Sequence, residues 1–291
     1  HIGQATLRSY AFKGRIFNAF HINDNQGRIA NVALPKYEKD GNIKNYTLYN
    51  RPYRDRKDGK TKKFRLFLNE RYEYLFVSNP KVKADKVVCV ESGFDALAYH
   101  ELHGFPKAFY ISMSGHIDDR KLEQFFQWNT LVGGAATLPI HLAFDNDIEG
   151  MRYDLMVLSS CVNRRSDRVL IELDWKRPDM QLKLEYHSGS LAEMERDANF
   201  INEQIASGPE GMAPVFQKAL CFKDKVIWEL DLDKIQRFPR ASRGYWKKVI
   251  GILSECFTRG TIKTDKSPNQ KDWNDELISV KKKSHCQLAH L

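Results

Sequence analysis

The feature that most restricts the fold lies between Lys86 and Cys161, where three short apolar runs each lead into a stretch with helical spacing. Lys86 to Val90 (KVVCV) is apolar after its first residue, as expected of a strand covered on both faces. Phe94 to Leu102 follows, with Phe94, Leu97, Ala98 and Leu102 on one side. Ala108 to Ile111 and Asp118 to Trp128 repeat the order, the helix opening on the acidic pair Asp118-Asp119. Pro139 to Phe144 (PIHLAF) and Ile148 to Cys161 complete it. Strand-helix units this short predict an α/β fold with a parallel sheet.

The flanking stretches read differently. Residues from Ala11 to Val77 predict an antiparallel β-rich block with strands at Arg15 to Ile22, Ile29 to Tyr37 (broken by Pro35), Ile43 to Tyr49 and Tyr74 to Ser78. Asp24 to Gly27 and Lys39 to Asn42 supply turns, and Asn79-Pro80 ends the block. Beyond residue 161 the spacing predicts strands at Arg168 to Leu173 and Lys225 to Leu230, and helices at Leu191 to Ile205 and Tyr245 to Thr258. Both strands end in Glu-Leu-Asp, a match too short to establish a repeat. Gly260 to Thr264 reads as a strand, and Lys281 to Lys283 as a frayed, solvated tail.

Charge is concentrated rather than spread. The chain carries 46 Lys+Arg against 37 Asp+Glu, a net charge of +9. Arg51 to Arg65 holds eight basic and two acidic residues, interleaved with Tyr53 and Phe64 and flanked by Tyr49 and Phe67. Neutralising phosphates while stacking bases on rings uses this mixture. A solvated hairpin tip turning at Asp58-Gly59 uses it equally well. No apolar run approaches the roughly 20 residues that span a bilayer, which excludes a helical membrane protein. The five cysteines are odd in number, scattered and without a CxxC, so zinc is not expected and a reducing, cytoplasmic setting is. A chain that opens on His1 reads as a piece of a longer protein.

Acids stand where the apolar runs end. Glu91 follows KVVCV, with Asp95 one turn later; Asp145 and Asp147 follow PIHLAF; Asp272 and Asp275 lie in Lys271-Asp272-Trp273-Asn274-Asp275. In open α/β sheets ligands bind at the carboxyl ends of strands, so such acids can converge on one hard cation. Each is also a good helix cap, Asp147 for a helix from Ile148 and Asp275 for one over Glu276 to Val280. Trp273 reads as a packing anchor between them. The loop Ser112-Met113-Ser114-Gly115-His116 suits a phosphate-binding turn or a plain one. His100/His103 and His116/His141 lack a zinc spacing. No Ser-His-Asp order or P-loop is present.

With these residues in view, VVCVESGFDALAYH resembles the glutamate motif of TOPRIM domains, and HLAFDNDIEGMRYD their D-x-D-x-x-G motif. KDWNDEL is similar to the closing segment of the primase branch, in particular primase-like proteins of plasmids and other mobile elements. Ser92 stands where that family more often has Gly, with Gly93 next. About a hundred residues separate the second motif from the third. The basic block, through Leu34 to Gly41 and Lys63 to Glu70, is similar to the subdomain that precedes TOPRIM in bacterial primases.

The resemblance implies a TOPRIM-type parallel sheet flanked by helices, preceded by a β-rich basic subdomain and carrying a large insertion. Its divisions would be residues 1–80 for the basic subdomain, 81–161 for the TOPRIM core, 162–258 for an insertion of unknown role, and 259–291 for the closing segment. It implies Mg²⁺ or Mn²⁺, with a two-metal site among the options, on Asp95, Asp145 and Asp147 with Asp272 and Asp275 as further ligands. Glu91 would be a ligand or the general acid/base. Arg51, Lys62, Lys63 and Arg65 would hold template or triphosphate. The implied activity is primer synthesis from nucleoside triphosphates on single-stranded DNA, with a helicase or relaxase of the same element as a partner. Alternatives are a TOPRIM nuclease and a non-catalytic nucleic-acid-binding module; a topoisomerase would need a tyrosine from another domain.

Overall fold

The computed structural model describes residues 1–22, 28–55, 57–80, 83–105, 107–134, 138–176, 179–187, 191–206, 220–222, 225–231 and 239–288. It is a mixed α/β structure that divides into two units, residues 1–138 with 277–291, and residues 139–276.

In the first unit α1 (Gln4–Arg8) leads to an antiparallel meander of β1 (Phe17–Ile22), β2 (Arg28–Tyr37), β3 (Ile43–Arg54) and β4 (Thr61–Phe67), in that spatial order. The expected turn at Asp24 to Gly27 lies outside the described residues. Pro35 does not break β2: it pairs with Tyr46 of β3, beyond Ala33, where pairing with β1 stops. A proline is tolerated in a ladder where one flank needs no donor. Pro52 falls in the register shift between Asn50 and Tyr53 of β3, which suits a residue that cannot donate.

The strand expected over Tyr74 to Ser78 touches the meander only at Leu75, which bridges antiparallel to Tyr37 of β2, and continues as β5 (Phe76–Val77). It pairs antiparallel with β7, Phe76 opposite Ser112 and Val77 opposite Ile111. β6 (Lys86–Val90) and β7 (Ala108–Ser112) are parallel and linked through α2 (Gly93–His103). Val87 to Val90 and Ala108 to Ile111 are all buried, as their unbroken apolar runs require, and Ser112 is buried with its hydroxyl bonded to Glu91 O. Gly104, at φ +61°, ends α2 in the left-handed conformation and returns its N–H to His100 O. Asp118 caps α3 (Asp119–Gly133) by accepting the Lys121 N–H.

In the second unit β8 (Ile140–Leu142) leads through a tight turn into α4 (Ile148–Arg165), and β13 (Ile262–Thr264) pairs with β8 in parallel. Met151, Leu155, Leu158 and Val162 form the buried stripe of α4. Arg164 and Arg165 in its last turn complement the helix dipole. The segment without an expected role is an antiparallel sheet of β9 (Val169–Lys176), β10 (Asp179–Tyr186), β11 (Leu220–Phe222) and β12 (Lys225–Asp231), ordered β11-β12-β10-β9. Its helices are α5 (Leu191–Ala206) and α6 (Pro239–Thr258). Strand β10 was not foreseen, although Met180, Leu182, Leu184 and Tyr186 are buried in strict alternation with polar residues.

The last helix, α7 (Trp273–Leu288), is far longer than the Glu276 to Val280 expected. Lys281 to Lys283 are therefore helical rather than frayed. In the first unit Lys281 pairs with Glu101 and donates to His1 O at 2.6 Å, which ties the two chain ends.

Candidate functional site

The strand-end acids occupy two corners, one in each unit. In the first, Glu91 follows β6 and is half-buried. Its carbonyl accepts the Ser112 Oγ hydroxyl at 3.1 Å and the Gly115 N–H at 3.4 Å. Ser112 Oγ in turn accepts the Ser114 N–H at 3.1 Å. The serine-glycine loop is thus a turn closed on Glu91, with Ser114 at φ 54° and Gly115 at φ 96°. Arg65 lies so close that a Cβ at Gly115 would come 2.9 Å from its guanidinium.

Asp95, expected to ligate metal, has a local structural task. Its carboxylate accepts the Ser92 N–H at 3.1 Å and the Ser92 hydroxyl at 2.5 Å, while Ser92 Oγ accepts the Asp95 N–H. This is a reciprocal capping box at the start of α2. The departure at Ser92 is also explained. Gly93 makes the close approach, since a Cβ there would sit 2.4 Å from Leu34 Cδ1, and this leaves position 92 to cap.

Cations crowd this corner. Lys36 is fully buried, its ammonium 4.5 Å from the Phe67 ring centroid and donating to Tyr72 O at 3.3 Å. Burial first, then the like charges of Lys121 and Arg65, lowers its pKa to about 7. Lys121 donates to His116 O at 2.5 Å and is lowered to about 8, chiefly by burial, with Asp118 and Glu91 opposing. Burial pushes the neighbouring Tyr49 phenol up to about 12. Lys36 and Lys121 were not among the expected site residues. A lysine within a strand whose neighbours are apolar is the signal that marks Lys36.

The basic strip is the β3–β4 hairpin. Gly59, at φ +68°, makes the turn, and Asp55 N–H reaches Lys60 O at 2.8 Å. Lys62 is engaged inside the hairpin, paired with Asp55 and, at 3.3 Å, with Asp58. Arg51 and Lys63 are exposed, and the Arg65 guanidinium stands 5.0 Å from the Phe67 ring centroid. The four expected contacts therefore lie on one hairpin but in unlike surroundings.

The second corner is the turn after β8. Asp147 caps α4, its Oδ1 accepting the Gly150 N–H at 2.9 Å, as the capping reading expected. Gly150 is required, because a Cβ there would lie 2.0 Å from Asp145 O. The closing segment comes to this turn from more than a hundred residues away. Asn146 N–H donates to Lys271 O at 2.7 Å, and Trp273 Nε1 to Ala143 O at 2.9 Å, which makes Trp273 the anchor expected of it. Lys271 Nζ then lies 2.8 Å from Asp147 Oδ2 and 3.9 Å from Asp145 Oδ2. One ammonium thus addresses both carboxylates.

Asp272 and Asp275 divide differently. Asp272, not Asp275, caps α7: its Oδ1 accepts the Asp275 N–H at 2.7 Å and its carbonyl the Glu276 N–H. Asp275 is exposed in the first turn. Glu276, which sequence reasoning missed, is buried and accepts from Ser267 Oγ, Asn269 N–H and Asn269 Nδ2, fixing the loop before the closing motif. These bonds hold its carboxyl below the usual range against the opposing effect of burial.

Beneath the turn lies a buried ion pair, Lys266 Nζ to Asp154 Oδ2 at 3.0 Å. Asp154 sits within the apolar stripe of α4, and an acid there needs partners. Oδ2 accepts from Trp246 Nε1 at 2.7 Å and Thr264 Oγ1 at 2.8 Å. Burial still pushes the Asp154 carboxyl up, with Lys266 pulling against it.

Among the described residues no three His, Cys, Asp or Glu side chains gather closely enough to hold a metal ion by themselves. Asp145 and Asp147 are a pair, and a pair fits Mg²⁺, which keeps waters and takes its other ligands from phosphate. Both carboxylates lie within 4 Å of the one Lys271 ammonium. No described helix is long and apolar enough to cross a membrane.

No family model matches the chain, and neither does any curated protein. Among solved structures it is similar to the RNA polymerase domain of Mycobacterium tuberculosis primase DnaG, at 15% identity and a TM-score of 0.31, over 48% of this chain and 47% of that one. The same domain in complex with a double-stranded DNA oligomer bearing a 6-nucleotide overhang matches at 16% identity and 0.31, over 48% and 45%. The chain spans about half the length of the structures it matches. Likeness at this level carries no argument about activity.

Proposed function

We propose that this chain is a primase-like nucleotidyltransferase that uses Mg²⁺ or Mn²⁺ at Asp145 and Asp147 to join nucleotides on a single-stranded DNA template. The observation that supports this most is the convergence of both carboxylates on the Lys271 ammonium, at 2.8 and 3.9 Å, on a turn that Gly150 alone permits. The motif resemblance of the surrounding sequence agrees with it.

Phosphoryl transfer asks mainly for alignment and for neutralisation of developing charge. A divalent cation supplies that neutralisation when bound. Asp145 and Asp147 would hold the cation, in the place that the Lys271 ammonium takes here. The Lys271 side chain is 62% exposed, so it can swing out of the pair and meet a phosphate oxygen instead. Glu91 enters as the general acid/base or a further ligand. Arg51, Lys63 and Arg65 serve the nucleic-acid backbone, with Lys62 a weaker contributor because its charge is already paired.

Primer synthesis from ribonucleotides on single-stranded DNA with Mg²⁺ or Mn²⁺ is the direct test. The Asp145→Asn plus Asp147→Asn variant is expected to lose product by a factor of a thousand or more. Unimpaired synthesis by that variant would sink the assignment. Strand scission without nucleotides, lost in the same variant, would replace synthesis by cleavage.

A further inference from the structure

Four consecutive carbonyls lead into the acidic turn, and each accepts a side-chain donor from the segment Thr264 to Trp273. Thr264 Oγ1 donates to Leu142 O at 3.2 Å and Trp273 Nε1 to Ala143 O at 2.9 Å. Lys266 Nζ donates to Phe144 O at 3.3 Å and Asp145 O at 3.2 Å. The same ammonium reaches Gly150 O at 3.2 Å in the first turn of α4, and Asp154 one turn later. Lys266 and Asp154 are both wholly buried. One cation thus joins the strand end, the turn and the helix that follows it. The three N–H groups of one ammonium at the end of a long side chain are shared among these four acceptors.

We propose that Lys266 is a positioning residue that presets the backbone from Phe144 to Gly150, so that Asp145 and Asp147 address the same cation. The cation-holding half of this inference rests on the metal reading above; the backbone half does not. Asp154 is the counter-charge that makes a buried ammonium tolerable there. Asp145 reaches the cation with its side chain while its carbonyl is fixed by Lys266. The carboxylate is therefore aimed by a residue that never touches the metal, as outer partners of metal ligands commonly do. Lys271, five residues on, is exposed and meets the carboxylates of the same turn.

The test uses the full chain with Lys266→Met and Asp154→Asn together, which removes both charges and leaves an acceptor for Trp246 and Thr264. Three quantities are read: the thermal midpoint, amide exchange of residues 143–150, and Mn²⁺ affinity by titration calorimetry. The expected result is a folded protein whose turn exchanges at least about tenfold faster and whose Mn²⁺ affinity falls about 10- to 100-fold. The control, Lys247→Met alone, removes the exposed member of a nearby ion pair, leaves in place Asp265, which accepts the Lys266 N–H, and is expected to change Mn²⁺ affinity less than about twofold.

Unchanged exchange and affinity in the folded double variant would overturn the inference, and so would a loss of protection spread evenly over residues 139–276. Should the double variant fail to fold, Lys266→Arg decides. It keeps the charge but replaces the compact ammonium by a planar fork, and full retention of both readouts would overturn the inference. If the parent chain binds Mn²⁺ no better than Asp145→Asn plus Asp147→Asn, the metal reading and the cation-holding half fall, while exchange still decides the positioning role.

Discussion

The two strand-end corners begin alike and are put to different use. After β6, the acid one turn on is committed to a capping box, and the charges gathered around Glu91 are cationic, two of them on buried lysines. After β8, both acids converge on one ammonium and the cationic charge beneath them is already paired with Asp154. The first corner gathers cations around one acid, and the second presents two acids to one exposed lysine. An acid at the end of a strand is therefore no guide to its role until its neighbours are known. Asp95 turns its carboxylate back onto Ser92, whereas Asp147 caps with Oδ1 and keeps Oδ2 for Lys271.

The largest effect that separates the corners is steric. At Gly150 an added methyl meets backbone 2.0 Å away, and at Gly93 it meets the end of the Leu34 side chain at 2.4 Å. Gly150→Ala is expected to cost about 3 kcal/mol or more and Gly93→Ala about 1 kcal/mol, since only a side chain can turn aside. Equal losses in denaturant unfolding would erase the distinction.

Next comes the buried charge of the first corner. The folded pKa of Lys36 lies near 7 and its unfolded value near 10.5, so the folded state holds fewer protons between those limits. Its burial penalty is complete below about pH 7 and fades as pH rises toward 10, so parent stability climbs across that window. Lys36→Met should therefore stabilise the chain by about 1–3 kcal/mol at pH 6 and by little near pH 10. A pH-independent difference between variant and parent would show that Lys36 is not held down.

Asp95→Ala is expected to cost about 1 kcal/mol through the lost cap, and Asp95→Asn less, with primer synthesis following stability rather than metal concentration. A variant of full stability that needs far more Mn²⁺ would return Asp95 to the ligands. The smallest effect expected is on the hairpin. Lys62→Ala should change single-stranded DNA affinity less than about twofold, and Arg51→Ala plus Lys63→Ala should lower it several-fold with a shallower salt slope. The reverse order would mean that the Lys62 pairs with Asp55 and Asp58 open on binding.

Parts of this arrangement were legible in the residues. Apolar runs marked β6, β7 and β8, with His141 the polar residue within β8, because a strand covered on both faces leaves little place for polar side chains. Asp147 was recognisable as a cap and Trp273 as an anchor. Pairing partners were not legible. Nothing local tells Phe76-Val77 to join β7 instead of the meander, since two residues carry no register. The alternation of β10 is written in the residues, Met180, Leu182, Leu184 and Tyr186 standing between polar neighbours. The cap is Asp272 and not Asp275 because α7 begins at Trp273, three residues before the Glu276 at which the spacing predicts it.

What the order of residues determined is the kind of element at each place and the location of the acids, because periodicity, turn chemistry and caps act within a few residues. What only the tertiary structure decided is what each acid faces. Lys266 and Lys271 lie more than a hundred residues from Asp145, and Lys36 more than eighty from Lys121. Electrostatic interaction depends on distance in space and on the exclusion of water, and neither exists until the chain has folded.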